Sequence, residues 1–410
     1  MSNAWNRKTV APSPSRRPDL IETDAQAIER ATHLAADFAV GAARRDSERL
    51  LPWAELDRFS QTGLWAITVP KQFGGPGVST STLAQVIAII AAADGSLSQI
   101  PQNHFYALEV LRVGATAAQQ RFFYDRVLAG ERFGNALAEI GQRDFKRRTR
   151  LVRDLGGLFV EGWKFYCTGA LYAHWIPTLV VAEEAGEPVT YLAFVPRDAP
   201  GVRVIDDWDG FGQRVTGSGS VQFDRVAVDP EWIVPFSASF ARPTTIGPFA
   251  QIMHAAIDLG IGRGAYHEML HFIRDRARPW LDAKVEKASD DPLTLHQVGN
   301  VWLRLRAAEA LMRRAATEVD AARSEMTEQS VARASIAVAE AKILATKAGL
   351  LATNKLLELS GTSATLAEDG LDRYWRNVRT HTLHDPVRWK YQAVGNYYLN
   401  DRLPPRHGAL

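Results

Sequence analysis

What restricts this chain most is a double change of period along its length. Between residues 24 and 48, Ala27, Ile28, Ala31, Ala35, Phe38 and Ala42 recur at helical spacing with charges between them. Residues 83–93 are almost wholly apolar, which predicts a helix buried on every side. Residues 118–128 predict a further short helix, and Pro70 to Gly77, punctuated by glycine and proline, a loop. The period then shortens. Residues 158–167, 178–183, 189–195 and 220–228 are brief runs of β-branched and aromatic residues bounded by Gly, Pro and Asp. From Ile246 onward the 3.6 period returns, with long helices predicted over 260–277, 295–323 and 331–359 and a last one after Asp385. The pattern predicts an α+β chain with a helical domain over 20–132, a central antiparallel β domain over 133–240 and a helical bundle over 241–410. Residues 1–19, polar and proline-bearing, read as a flexible arm.

Composition removes several classes of function. Forty-eight Lys and Arg against 46 Asp and Glu leave a net charge of +2, so no global field recruits nucleic acid or an anionic membrane. No apolar run approaches the roughly 20 residues of a membrane helix. A single cysteine, Cys167, excludes an internal disulfide and any multi-cysteine zinc or iron–sulfur site. The N-terminus lacks the apolar core of a secretory signal, and the cytoplasm is the expected compartment.

Four constellations carry chemistry. In Asp372 to Pro386, His381 and His384 lie three residues apart, suited to dividing donor and acceptor roles near neutral pH; the plain alternative is interface or capping residues. In Asp206 to Ser220, Thr216 and Ser218 sit between glycines beside Trp208, presenting N–H and O–H groups to a polar ligand edge, or simply making a glycine-rich turn. Arg276 and Arg278 follow a long helix, as a phosphate fork or as cations on a helix dipole. Asn135 and Thr168 flank the start of the β region and either bond a planar heterocycle or close turns.

Together these stretches resemble the acyl-CoA dehydrogenase superfamily, and within it the reduced-flavin-dependent monooxygenases of the dibenzothiophene monooxygenase and sulfur-acquisition type. The similarity runs from Asp24 to Asn400 and is most specific in Ala93 to Leu97, Asp207-Trp208, Thr216 to Ser220, Ala277 to Trp280 and Trp375 to Pro386. It implies an N-terminal helical domain, a central antiparallel β-barrel and a C-terminal four-helix bundle. It further implies that Asn135, Thr168, Trp208, Thr216 and Ser218 line a flavin pocket, that Arg278 meets the flavin phosphate, and that His384 sits by the reactive ring edge. Gln99 and Asn103 stand where the dibenzothiophene enzyme has histidine and tyrosine, His104 is retained, and Ser363 replaces an arginine. The substrate side, Gln99, Asn103 and His104, is thus more polar than one built for a polyaromatic sulfide. The basic segment Arg143 to Arg153 has no counterpart there and reads as a solvated loop, a lid or a docking patch.

An acyl-CoA dehydrogenase needs a carboxylate to remove the α-proton, and neither Tyr374 to His384 nor Phe249 to Ile257 contains one. Histidine in its place suits oxygen chemistry, in which a C4a-(hydro)peroxyflavin must be shielded from water. His384, Thr168 and Asn135 are expected to supply the hydrogen-bond donors and the proton gate, with His381 supporting His384 and His104 orienting the substrate. The expected activity is an FMNH2-dependent, two-component monooxygenation of a small organosulfur compound or amine, with FMN reduced by a separate NAD(P)H-dependent reductase. FAD-dependent oxidation of an acyl thioester is the alternative. A remote third is zinc hydrolysis through His267-Glu-Met-Leu-His271, for which Glu286 is the one third ligand in view. The apolar residues around the whole circumference of 331–359 predict partner helices from other copies, and the resemblance implies a homotetramer.

Overall fold

The computed structural model describes residues 18–140 and 146–410. The arm over 1–17 and Arg143 of the basic segment lie outside the described residues. Thr23 opens α1 (Asp24–Ala39) with a capping box, its hydroxyl accepting from the Gln26 amide while the Gln26 side chain accepts from the Thr23 backbone. The helix expected over 24–48 is broken in two, because Gly41 adopts a left-handed φ of 81° before α2 (Ala42–Ser47). Then come α3 (Trp53–Gln61), α4 (Thr80–Ala93), α5 (Ile100–Gly114) and α6 (Ala117–Leu128). The all-apolar α4 is the buried helix that its sequence predicts, packed against α1 and the C-terminal helices. α5 went unread because Ile100 through Leu111 are all buried, polar residues included, so no solvent-facing side marks a period.

The strands are β1 (Arg150–Asp154), β2 (Gly157–Lys164), β3 (Trp175–Glu184), β4 (Glu187–Pro196), β5 (Val202–Ile205), β6 (Ser220–Ala227) and β7 (Ile233–Pro235). They form one sheet in the order β5-β6-β2-β1-β3-β4-β7. Its pairings are antiparallel except for β1 beside β3, which run parallel at Arg150 and Val181. The closed antiparallel barrel is therefore corrected to an open mixed sheet, with β5 and β7 at its ends. The cause is β1 itself. The second half of the basic segment is not a loop but a strand that hairpins with β2 and enters the middle of the sheet. It is pinned from below by Glu139, whose carboxylate accepts from the Arg148 and Thr149 amides and pairs with buried Lys164 at 2.6 Å.

The C-terminal region contains α7 (Ser237–Phe240), α8 (Ile246–Asp275), α9 (Pro292–Ser324), α10 (Glu328–Ser360), α11 (Asp372–His381) and α12 (Val387–Asn400). α10 runs through the centre, packed on α8, α9, α11 and α12. Much of its apolar surface is thus covered within this chain, while Leu344, Leu350, Leu351, Leu357 and Leu359 remain partly exposed. Exposed apolar side chains include Leu293, Leu295, Trp302 and Leu303 on α9 and Trp389, Tyr391, Tyr398 and Leu399 on α12. α8 and α10 cross closely because both carry glycine there. A Cβ on Gly262 would lie 2.9 Å from the Gly349 Cα, and one on Gly349 2.7 Å from the Asp258 carbonyl oxygen. Among the described residues, no helix is long and apolar enough to cross a membrane.

Candidate active site

The loop between β2 and β3 lies across the loop that enters β6. Cys167 N donates to the Gly219 carbonyl at 2.9 Å and Gly169 N to that of Thr216 at 3.0 Å. This register seats three buried hydroxyls in a row, with Thr168 Oγ1 2.7 Å from Ser218 Oγ and Ser218 Oγ 2.6 Å from Thr216 Oγ1. The row has a direction. Thr216 donates to the Gln213 carbonyl at 2.9 Å, so each remaining contact carries a proton only if Ser218 donates to Thr216 and Thr168 donates to Ser218. Thr168 Oγ1 then has only lone pairs left to offer beyond the row. The sequence made Thr168 a donor; the hydroxyl row makes it an acceptor.

Trp208 borders this row. Its Nε1 donates to Gln213 O at 2.9 Å, its own carbonyl accepts from Arg49 at 3.1 Å, and Tyr166 meets its ring edge-on at 6.2 Å. Asn135 N donates to Thr168 O, and its buried side-chain amide makes no hydrogen bond among the described residues, leaving two donors for a ligand. Cys167 is buried beside Thr168, and burial pushes its thiol well up.

The Thr168 loop rests on the first turn of α5, where a Cβ on Gly169 would lie 3.3 Å from Ile100. Gln99, Gln102 and Asn103 are buried there, and Gln99 Oε1, Gln102 Oε1 and Asn103 Nδ2 have no hydrogen-bond partner among the described residues. Buried polar atoms of this kind are costly to leave unpaired, and three of them gather at the start of α5. His104 is different. Its Nδ1 accepts from Phe133 N at 3.0 Å and its Nε2 lies 2.8 Å from Trp65 O. Burial lowers its imidazole to about 3. Both nitrogens are committed to backbone, so the substrate-orienting role is corrected to that of a neutral wall residue.

α11 docks on the same region from the other side, with Asn377 Oδ1 accepting from Gln213 N at 2.7 Å and Trp375 stacked on Phe211. Its last residue, His381, is buried, with Nδ1 2.5 Å from Asp258 Oδ1 and Nε2 3.0 Å from His254 Nδ1. Asp258 Oδ2 accepts from Lys342 Nζ at 2.9 Å and from Thr346 Oγ1 at 2.6 Å. His384 is half-exposed. Its ring centroid lies 4.2 Å from that of His254, and its Nδ1 lies 3.4 Å from Asp385, which pairs with Lys390 at 2.5 Å. Burial alone would raise Asp258, but the Lys342 cation and His381 outweigh it and hold the carboxyl near 2. Burial lowers His381 against the pull of Asp258. It lowers His254 further, helped by the positive charge that His384, His381 and Lys342 would place beside it.

His254, Asp258 and Lys342 were not singled out in the sequence. Asp258 directly follows the carboxylate-free run Phe249 to Ile257. It is no free base, since Lys342, Thr346 and His381 occupy both of its oxygens. A signal existed: His254/Asp258 and Lys342/Thr346 are i,i+4 polar pairs, each flanked by apolar residues on a buried stretch of its helix. Arg278 lies elsewhere, exposed in the loop after α8, and makes no side-chain hydrogen bond or ion pair among the described residues. His267, His271 and Glu286 are exposed, and no group of three His, Cys, Asp or Glu that could hold a metal gathers among the described residues.

Residues 22–131 match the acyl-CoA dehydrogenase N-terminal domain and residues 252–389 the acyl-CoA dehydrogenase C-terminal domain. The chain is 32% identical over 386 residues to the probable FMNH2-dependent monooxygenase SfnC of Pseudomonas putida, spanning 92% of this chain and 96% of that one. It is 33% identical over 394 residues to the dibenzothiophene monooxygenase of Mycolicibacterium goodii, spanning 92% and 94%. The solved structure of TdsC from Paenibacillus sp. A11-2 with FMN and indole aligns with a TM-score of 0.89 at 33% identity, over 94% of this chain and 100% of that one. Methanesulfinate monooxygenase MsuC from Pseudomonas fluorescens aligns at 0.87 and 31% identity, over 93% and 99%. The helix–sheet–helix order thus finds whole-length relatives, and the chain belongs to the acyl-CoA dehydrogenase family, in its branch of FMNH2-dependent monooxygenases.

Proposed function

We propose that this chain is the oxygenase of a two-component system, taking reduced FMN from a separate NAD(P)H-dependent reductase and oxygenating a small polar organosulfur compound with O2. The observation that carries the reading is the directed hydroxyl row ending in Thr168. Reduced flavin is richer in N–H donors than oxidised flavin, and a Thr168 that only accepts fits that state. Asn135 would donate to the flavin carbonyls and Trp208 would flank the ring system. Reduced FMN, when bound, supplies the electrons and the activation of oxygen. His384 faces that chemistry as a half-exposed imidazole able to hold a proton at Nε2 while Nδ1 faces Asp385. The unpaired polar atoms of Gln99, Gln102 and Asn103 favour a substrate bearing oxygens and N–H or O–H groups over a fused aromatic sulfide.

Acyl-CoA oxidation with FAD is disfavoured because the carboxylate nearest the histidines, Asp258, is fully engaged. Arg278 belongs to the flavin site of a second copy. α8 carries the chain from His254, under His384, to Asp275, about 31 Å at 1.5 Å per residue. An FMN with its ring at His384 is far too short to bring its phosphate to Arg278 of the same chain. The exposed apolar side chains on α9 and α12 give such copies, up to a homotetramer, a surface on which to meet. The deciding experiment offers small sulfides, sulfones, sulfinates and amines to the protein with FMN and a generic reductase. Oxygenated product from the polar sulfur compounds is expected. Tight FAD with dye-linked oxidation of acyl-CoA would overturn the reading.

A further inference from the structure

Behind His384 stands a line of ionisable side chains to which the reading above gives no task. His254 and Asp258 come from α8, Lys342 from α10 and His381 from α11. We propose that His254 is a positioning residue for His384, locked into one tautomer by His381, Asp258 and Lys342. The lock follows from what each group can donate. The Asp258 carboxylate only accepts, so His381 carries its proton on Nδ1. A neutral His381 then offers a bare Nε2, and His254 can satisfy that 3.0 Å contact only by donating from Nδ1. His254 Nε2 is left without a partner among the described residues. Turning the ring would break the bond to His381, so the face on which His384 rests, 4.2 Å away, is fixed in orientation.

The surroundings also hold that face neutral. Lys342 is already paired with Asp258, and a second cation on His254 would find no countercharge within hydrogen-bond reach. The charged and titratable groups that act on it are Lys342 from α10, His381 from α11 and His384 and Asp385 from the turn after it; behind them, Asp258 from α8 holds His381 and Lys390 from α12 holds Asp385. His407, near the C-terminus, acts on the last two, Lys390 and Asp385. His384 therefore rests on an uncharged ring, and a proton it holds at the active-site edge is not drawn inward.

The first test needs neither cofactor nor substrate. Nitrogen-15 shifts of the histidine rings, read in the whole protein near neutral pH, should show His254 and His381 as neutral Nδ1–H tautomers. A His254 that is charged, protonated at Nε2 or averaging between tautomers overturns the proposal. The second test rests on the oxygenase reading. His254→Phe keeps a ring under His384 but removes the bond to His381, whereas His254→Asn can restore an N–H toward His381. The first should lower product per reduced FMN roughly tenfold, with peroxide rising and the pH profile of coupling displaced. The second should recover much of the loss, with FMN affinity and melting temperature little changed in both. Equal coupling and an unmoved pH profile in His254→Phe would overturn the positioning role. If the wild type oxygenates nothing offered, the oxygenase reading fails while the nitrogen-15 result still decides the tautomer lock.

Discussion

At the scale of single residues, the site asks opposite things of its two kinds of polar group. Thr168, Thr216 and Ser218 satisfy one another, whereas Asn135, Gln99, Gln102 and Asn103 keep unused capacity. Thr168→Val, which keeps the shape and removes the acceptor, should weaken binding of reduced FMN about tenfold, roughly the worth of one buried hydrogen bond. It should affect oxidised FMN less, and anaerobic titration of both forms checks this. His384→Ala should leave FMN binding nearly intact while hydrogen peroxide replaces product, read as product formed per reduced FMN consumed. Acid should also destabilise the fold early. His104 and His254 are neutral in the fold, with basicity lowered by burial, but regain an ordinary value near 6.5 when unfolded. Below about pH 6.5 the unfolded chain binds more protons, so stability is lost as pH falls, down to about pH 3 for His104. The two together remove about 2.5 kcal/mol between about pH 7 and about pH 5.5, measurable by urea unfolding at those two values.

Among the elements, the α8–α10 crossing decides whether the histidine line exists. Gly349→Val would press its side chain into the Asp258 carbonyl, at a cost of about 3 kcal/mol or loss of folding. Gly299→Ala on α9, where an added Cβ meets nothing within 4 Å, should stabilise by about 0.5–1 kcal/mol. Thermal unfolding of the pair separates crowding from propensity. The same crossing explains how much could be read in advance. α9 announces itself by a helical stripe, α4 and α10 by near-continuous apolar runs, and the strands around β3 and β4 by β-branched and aromatic residues between turn residues. α5 buries Gln102, Asn103, His104 and Glu109 among its apolar residues, and β1 is a charge-rich strand, so neither shows its period. The glycine-flanked Thr216 and Ser218 and the paired His381 and His384 are conspicuous in one dimension. His254 and Lys342 acquire meaning only when two helices far apart in sequence meet in one register, which no local pattern records.

For the molecule as a whole, the reading proposed above draws each flavin site from two chains, His384 from one and Arg278 from the other. Arg278→Ala and His384→Ala should each be inactive alone. Mixed after joint refolding or co-expression, they should regain about a quarter of wild-type activity, since half the pairs are mixed and each holds one intact site of two. No recovery in verified mixed oligomers would assign both residues to one chain's site. A charge at the partly buried Leu350 or Leu351 should now impair folding, while Leu399→Glu on α12 should weaken assembly, distinguishable by light scattering and melting. The lone thiol, finally, gives the protein a clock. Cys167 is buried, and a modifying reagent can reach it only when the loop that carries it lifts from Gly219 and Thr216. Its labelling rate therefore counts openings of the site rather than its closed state. If bound FMN must leave before the loop lifts, saturation at 100 times its dissociation constant should slow that clock about 100-fold.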